Sequence, residues 1–506
     1  MAKLRKLLLT VAGTLLLVAA AQAQSGKIAG VVTDAMTGET LPGVNVIIEG
    51  TTQGASTGLD GDFVIIGVRP GEYTLVASYI GFATKRVTGV KVNLDLTTTI
   101  NFELSEEIVE GEEIVVVAEA ITVKKDLTSS EARVTSDTID KLPVTELGQV
   151  LDVQAGITSR DGLHIRGGRS SEIVYMVDGV PVTDSYDGSA AIQLENDGIE
   201  ELQVVSGTFN AEYGNAMSGV INVVTKEGRS DRFGGSAKIF TGSYLVFGDG
   251  GEEFLRGTDA DDFTSAGIQY RDVDPYSYLS VDPTHYYNAN ISIEGPIIKN
   301  RVTLFGLGRY FKNDGWLYGT RLFYSFRDTL DNGQVVGPGT PADSSLVPMN
   351  TFEKYSWQGN MRIQVLNNLI VNLIGLGSYA EGRPFDFGRR WAPDGRNRDN
   401  DFGYDMKVKI THLLSNTTFY TLDVATFWRK AQARLFEDLN DPRYNDFNIN
   451  VPDTIPSAGT NFLRGGTNLG RFSRSTRSYL LKGDLSSQLG DHHLVKTGVQ
   501  VRFDDL

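Results

Sequence analysis

The sequence predicts a mainly β, exported chain: an N-terminal β-sandwich, a mixed middle segment and part of an antiparallel membrane β-barrel. Three observations lead there. The chain opens with an export signal and has no later apolar run long enough for a spanning helix. Its first hundred residues are short strands divided by tight turns. From about residue 232 it becomes long alternating strands separated by polar loops.

The export signal rests on Lys3, Arg5 and Lys6, an apolar run over 7–21, and the small-x-small site Ala21-Gln22-Ala23. Residues 1–23 therefore read as a signal peptide. An N-terminal anchor is the weaker reading, because the run is shorter than the roughly 20 residues a spanning helix needs. With 506 residues there is room for several domains, and 41% hydrophobic content suits a folded chain. Gly (56), Tyr (20) and Phe (24) favour strands, turns and interfacial aromatics over helical bundles. A net charge of −16 lacks the basic footprint of a nucleic-acid binder. The absence of cysteine excludes thiolate metal sites, disulfides and cysteine nucleophiles.

Over 28–104, strands at 44–49, 63–66 and 73–79 alternate with turns at 34–38, 60–62 and 70–71, the rhythm of a small β-sandwich. Asp60-Gly61-Asp62 reads as a hairpin turn, since the later ligands of a calcium loop are missing. The set Gly30-x-Val32-x-Asp34, Leu41-Pro42-Gly43-Val44, Gly61-x-Phe63, Pro70-Gly71-x-Tyr73 and Gly81-Phe82 resembles the carboxypeptidase-regulatory-like domain. The resemblance implies a transthyretin-like sandwich over 24–104, an accessory module without peptidase activity.

Residues 105–125 change character. Glutamates flank the β-branched run Ile114-Val115-Val116-Val117, which could add as a strand to another sheet's edge. The run also reads as an ordinary internal strand of the next domain. Over 126–228, helix-compatible spacing at 137–142 and 147–154 alternates with strands at 163–168, 173–177, 199–205 and 219–225. Asp178-Gly179 is a strong two-residue hairpin signal.

From 229 onward the strands lengthen. Over 355–365, Tyr355, Trp357, Met361, Ile363 and Val365 share one face, and Ser356, Gln358, Asn360, Arg362 and Gln364 the other. Residues 404–411 and 495–503 repeat the pattern, and long polar loops cover 328–352 and 436–474. A soluble sheet with one wet face reads the same way. The export signal and the run of strands without helices favour a barrel.

The middle segment carries a specific resemblance. In order come Leu147-Gly148-Gln149-Val150-Leu151, Gly156-Ile157, Ile165-Arg166-Gly167, Val177-Asp178-Gly179-Val180-Pro181, Ile199-Glu200-Glu201-Leu202-Gln203-Val204, Glu212-Tyr213-Gly214 and Ser218-Gly219-Val220-Ile221-Asn222-Val223. The series resembles the plug domain of TonB-dependent outer-membrane receptors. It implies an α/β plug over 126–228 and a barrel from 229 to 506. Glu113, Ile114, Val115, Val116 and Val117 then resemble the TonB box, in a linker over 105–125. Arg166, Gly167, Asp178, Gly179, Tyr213, Gly214 and Gly219 are expected to hold the plug's fold, with Arg166 pairing a carboxylate on the barrel's inner wall.

Two departures stand out. Ser206-Gly207-Thr208 replaces the family's Arg-Gly-Pro, and the Ala-rich stretch of SusC-type glycan importers is absent before the last plug strand. A plugged barrel of this class has roughly 22 strands, and the residues after Lys226 accommodate about nine or ten, so the chain reads as the N-terminal part of such a receptor.

The histidines, at 164, 285, 412, 492 and 493, have no metal-site spacing, and no phosphate loop occurs. The sequence predicts no catalysis, cofactor or metal. The resemblance implies outer-membrane location, and as partners a TonB-type periplasmic energy transducer, membrane lipid and a small-molecule or oligomeric ligand. The ligand stays open among siderophore, vitamin, peptide and glycan. Siderophore uptake is favoured by family frequency alone, and the ligand-contact residues are unknown. The rival readings are a non-transporting structural or adhesive outer-membrane protein and a peptidase with a regulatory sandwich.

Overall fold

A computed structural model describes residues 25–506, apart from 52, 95, 107–112, 118–120, 123–129, 160–161, 193, 208, 210–212, 215, 245–283, 416, 446–462 and 490–492. The signal peptide and Glu212 lie outside the described residues.

The N-terminal part is a sandwich. Its strands are β1 (Gly26–Asp34), β2 (Asn45–Ile48), β3 (Gly54–Ser56), β4 (Asp62–Val68), β5 (Gly71–Ser78), β6 (Thr84–Val92), β7 (Thr97–Thr99), β8 (Phe102–Leu104), β9 (Glu113–Val117) and β10 (Ile121–Thr122). One sheet runs β10-β7-β1-β4 with β8 also on β1, and the other runs β3-β2-β5-β6-β9. Alternation drives the packing. Val44, Val46, Ile48, Phe63, Ile65, Leu75 and Ala77 all face the same core, where the Phe63 and Phe102 rings lie 6.0 Å apart. Between Asp60 and Asp62 the chain reverses at Gly61, with φ 71°, and a Cβ there would meet the Val32 carbonyl oxygen at 2.7 Å.

Within the expected linker over 105–125, residues 113–117 and 121–122 are strands of this sandwich. β9 pairs in parallel with β6, Thr84 opposite Glu113 through Thr88 opposite Val117. β10 pairs antiparallel with β7 on the other sheet. The reason is local: β6 would otherwise end its sheet with an unpaired backbone edge, and the β-branched run downstream is the nearest strand able to cover it.

The plug follows as β11 (Ser130–Thr135), α1 (Ser136–Ile139), α2 (Leu147–Asp152), β12 (Ile157–Thr158), β13 (His164–Ile165), β14 (Ile173–Val177), β15 (Val180–Pro181), β16 (Ile199–Ser206) and β17 (Gly219–Thr225). Its main sheet is ordered β11-β16-β17-β14-β15, with β14 and β17 parallel. Every residue of β17 is buried, as befits a central strand covered on both faces. The helices are shorter than the spacing predicted. Pro143 disfavours helical backbone at Leu142, and α1 ends before it. The strand expected over 163–168 shrinks to β13, because Arg166 and Gly167 turn the chain with φ 52° and 77°.

The rest is one nine-stranded antiparallel wall: β18 (Gly234–Gly242), β19 (Tyr286–Ile298), β20 (Val302–Asn313), β21 (Thr351–Leu366), β22 (Leu369–Arg383), β23 (Arg398–Ser415), β24 (Thr418–Arg434), β25 (Phe472–Leu489) and β26 (His493–Asp505). Each strand pairs with its neighbour in sequence, so the wall is a continuous meander. Turns at one end are short, at 299–301, 367–368 and 416–417. Loops at the other end are long, at 314–350, 384–397 and 435–471. The sandwich sits at the short-turn end, where Ile66 and Val64 pack on Phe419 and Leu413.

The wall is inverted relative to a soluble sheet. On β21, Gln358 and Asn360 are 4% and 0% exposed, whereas Tyr355 and Trp357 are 50% and 43% exposed. Polar side chains face the plug and apolar ones face outward, which is stable when the outer medium is hydrocarbon. Aromatics gather toward the long-loop end of the outer face, with Tyr310 and Tyr355 rings 4.9 Å apart and Trp428 5.2 Å from Phe402. This is the interfacial girdle of a membrane barrel. No described helix is long and apolar enough to cross a membrane, which bears on helices alone.

Met406 lies outward near the middle of β23. Met406→Arg should lower the unfolding free energy of the receptor in lipid vesicles by about 2–4 kcal/mol, the cost of a cation at mid-bilayer. A loss below about 1 kcal/mol in urea titration would show that this face does not meet lipid.

Candidate functional site

The site is the seam where plug, wall and sandwich meet. It is built around the β14–β15 hairpin. Asp178 and Gly179 adopt φ 47° and 86°, both positive, as a two-residue type I′ turn requires. That backbone is why Asp-Gly stands there. The Asp178 carboxylate accepts hydrogen bonds from the Thr225 amide at 3.0 Å and its Oγ1 at 2.7 Å. It also pairs with Arg69 of the sandwich at 3.0 Å. Three wall lysines donate to the turn's carbonyls: Lys407 to Val177, Lys409 to Asp178 at 3.2 Å, and Lys482 to Gly179 at 2.9 Å. Burial alone would push the Asp178 carboxyl up. Arg69, Lys407 and the Thr225 hydrogen bonds outweigh it and hold the group below the ordinary carboxylate range.

Further acids on the plug repeat the arrangement. Asp184 is fully buried and faces Arg429 at 3.3 Å, Arg474 at 3.2 Å and the Thr476 hydroxyl at 3.1 Å. Glu195 is held by Lys354 at 2.7 Å, Ser356 at 2.7 Å and Arg309. Desolvation works against its ionisation, but Lys354 and Arg309 keep its carboxyl below the usual value. Asp197 pairs with Lys238 at 2.5 Å and Asn290 at 2.7 Å. Arg69 binds Glu227 at 2.8 Å as well as Asp178, so one guanidinium from the sandwich ties two plug carboxylates.

Near this seam, Glu200 is the extra residue of a bulge. Ile199 pairs Thr225 and Glu201 pairs Val224, leaving Glu200 between them. Glu201 accepts the Leu94 amide at 3.1 Å and Arg133 at 2.6 Å, joining sandwich to plug. Glu200 has no comparable ion pair among the described residues, and burial pushes its carboxyl up to about 7.

The plug residues anticipated from sequence fall into two groups. Asp178 and Gly179 form the hairpin in the seam. Gly167 turns the chain, Gly219 lets β17 approach Ile165, whose Cδ1 lies 2.4 Å from where a Cβ would be, and Gly214 sits in a turn. Tyr213 packs with Val174, Met176, Val205 and Val220. Arg166 departs from expectation. It is exposed and makes no ion pair with the wall among the described residues. The charge pairing runs the other way, with plug acids meeting wall bases. Glu113, Ile114, Val115, Val116 and Val117 lie apart from the seam, on the edge of the sandwich.

The wall bases were missed at the sequence level, though a signal exists. Asp405-Met406-Lys407-Val408-Lys409 places charges on the inward side of a membrane strand. Such charges need partners in the lumen. Beyond the plug's loop at 184–189, one cross-strand row of the inner face reads Phe352, Gly382, Asp399, Ala433 and Phe472. It borders a cavity of about 460 Å³ that opens toward the long loops. No group of three metal-ligating side chains occurs among the described residues.

Comparison with known proteins now decides the family. Residues 28–116 match the CarboxypepD_reg-like domain, and residues 123–220 match the TonB-dependent Receptor Plug Domain. TonB-dependent receptor P26 of Formosa agariphila is 28% identical over 327 residues, covering 58% of this chain and 32% of the relative. The chain carries the plug domain of TonB-dependent receptors and is similar to such receptors. TonB-dependent transporter Oar of Myxococcus xanthus is 29% identical over 250 residues, 46% of this chain and 23% of that protein. TonB-dependent receptor SusC of Bacteroides thetaiotaomicron is 30% identical over 243 residues, 44% of this chain and 23% of its own length. Among solved structures, the outer membrane transporter YddB from Escherichia coli matches at 13% identity and a TM-score of 0.48, over 74% of this chain and 48% of that one. The chain thus spans a third or less of the curated relatives it matches. With its plug domain and its likeness to these receptors, it is an outer-membrane protein, and its wall is barrel wall.

Two measurements probe the seam of this receptor. Glu195→Ala leaves Arg309 and Lys354 buried without their acid, and should destabilise plug docking by about 3–5 kcal/mol in urea titration of the reconstituted receptor. An effect below about 1 kcal/mol would mean that water already compensates these bases. The second concerns pH. Glu200 has a folded pKa raised from 4.5 to about 7, so its contribution is fully present below 4.5 and is lost as pH rises through 7. Asp178 and Glu195 are depressed, and their contribution is lost as pH falls through their folded values. Glu200→Gln should therefore stabilise the receptor at pH 8, on the order of 1 kcal/mol, and change little at pH 4. Equal effects at both pH values would rule out a neutral Glu200.

Proposed function

We infer that the protein imports a scarce ligand, siderophore-like or other, across the outer membrane, by energy-coupled movement of the plug. The observation that carries this reading is the polar seam. The plug meets the wall through acids opposite bases at Asp184, Glu195 and Asp197, and through wall lysines on the carbonyls of the 177–179 turn. Such contacts hold the plug in one register, yet each group regains hydration when water enters. A continuous apolar interface would have no such compensation. Ligand enters from the long-loop side, where the cavity beside Phe352 and Phe472 opens above the plug.

The energy source is a periplasmic TonB-type transducer, and the strand it takes is Glu113–Val117. Four features support this assignment: the β-branched run, the glutamates before it, its place just before the plug, and the location of the sandwich at the short-turn end of the wall. The transducer pairs its own sheet edge with this strand, so backbone hydrogen bonds carry most of the affinity. Relatives named as receptors and transporters support the transport reading.

Val115→Pro removes one donor and fixes φ within the strand. It should abolish uptake and capture by the transducer's periplasmic domain, while receptor level, heat-modifiable gel migration and ligand binding stay normal. Wild-type uptake by this variant would remove Glu113–Val117 from the coupling role. A receptor whose deletion leaves uptake of every tested nutrient unchanged would support the non-transporting, structural reading instead.

A further inference from the structure

We propose that the sandwich is the resident binding partner of the coupling strand: the β6 edge is a strand-binding site that competes with the energy transducer for Glu113–Val117. The inference rests on the coupling role just assigned, and adds that this role begins with release from the chain's own sandwich.

The pairing itself carries the argument. β9 forms a five-residue parallel ladder on β6, which is otherwise the last strand of its sheet. The clasp has a second point, because β10, four residues further on, pairs antiparallel with β7 of the opposite sheet. Residues 113–117 and 121–122 thus pair with opposite sheets of the sandwich. Upstream, the chain is steered to the same edge, since Ala83 donates its amide to the Ser105 carbonyl at 2.9 Å and Phe82 bridges Glu106.

A strand has two edges, and the ladder with β6 leaves one of them open. The transducer must then either add to that outer edge, keeping the sandwich attached, or displace β6. The geometry points to displacement. Glu113–Val117 lies within a chain clasped on both sides, by β8 and the Phe82 bridge before it and by β10 after it. A strand pulled along its length cannot transmit tension to the plug while these clasps hold, because the load would stop at the sandwich. The clasp therefore sets the fraction of receptors whose strand is available. A strand exposed one part in a hundred lowers the apparent affinity for the transducer about 100-fold.

The chain has no cysteine, which makes a clean test possible. Arg86 and Val115 are registered Cα partners across the ladder, and neighbouring strands lie about 4.8 Å apart, within disulfide range. The double variant Arg86→Cys, Val115→Cys would be prepared in the full-length receptor in nanodiscs. Binding of the transducer's periplasmic domain would be measured oxidised and again after reduction. The oxidised form should bind at least 100-fold more weakly than the reduced form, with recovery on reduction. Equal binding in the two states overturns the proposal, because the strand would then be read without release. Amide hydrogen exchange on the wild-type receptor gives a second, independent reading. Residues 113–117 should be protected, and exchange at the rate of an unstructured peptide overturns the resident pairing. Failure of the underlying coupling role looks different: Val115→Pro would then bind the transducer as wild type does.

Discussion

A charge buried between two protein surfaces is tolerable when it lies opposite a charge of the other sign, and this constraint organises the molecule. The wall must present polar side chains inward, because its outer face meets lipid. Lys354, Lys407, Lys409, Arg309, Arg429 and Arg474 are the result, a set of bases turned toward the lumen. Left alone in a low-dielectric gap they would be costly. The plug answers with Asp178, Asp184 and Glu195, each placed against at least two of these bases or against Arg69. Shape and charge are satisfied together, so the plug has one register against the wall.

Asp178 concentrates this logic. Its turn touches three bodies at once: the plug sheet through Thr225, the wall through three lysines, and the sandwich through Arg69. The type I′ backbone is what lets so many partners converge, since it projects the carboxylate and the carbonyls of Val177, Asp178 and Gly179 outward from a tight loop. Any displacement of the sandwich acts on this turn through one guanidinium. Glu201 gives the sandwich a second hold, on the Leu94 amide. Burial pushes the carboxyl of Glu200 beside it up to about 7.

Much of this was legible in the residues. The alternation over 355–365 identified both the strand and its lipid-facing side, because a period of two has one geometric meaning. Asp178-Gly179 announced a hairpin, because few residues other than glycine, asparagine and aspartate accept its backbone. The helices at 137–142 and 147–154 were present but shorter, with their ends set by Pro143 and by packing against the plug sheet. Arg166 misled, because a conspicuous charge beside a strand suggests a partner, whereas its backbone turns it to solvent. The β-branched run at 114–117 announced a strand in search of an edge. Nothing local says which edge it takes.

Local chemistry determined the sandwich, the hairpin and the inside-out strands, since each follows from periodicity, turn geometry or hydropathy within a few residues. Tertiary structure decided the rest. It set Asp184 between Arg429 and Arg474, separated by more than two hundred residues, and Asp178 beside Arg69. It placed Glu113–Val117 on the chain's own sandwich. Pairings of this kind depend on which surfaces the whole fold brings face to face, and any acid in the plug had many bases to choose from. The strand's case is the same in backbone terms: an unpaired edge accepts any strand that reaches it, and topology alone determines which one arrives first.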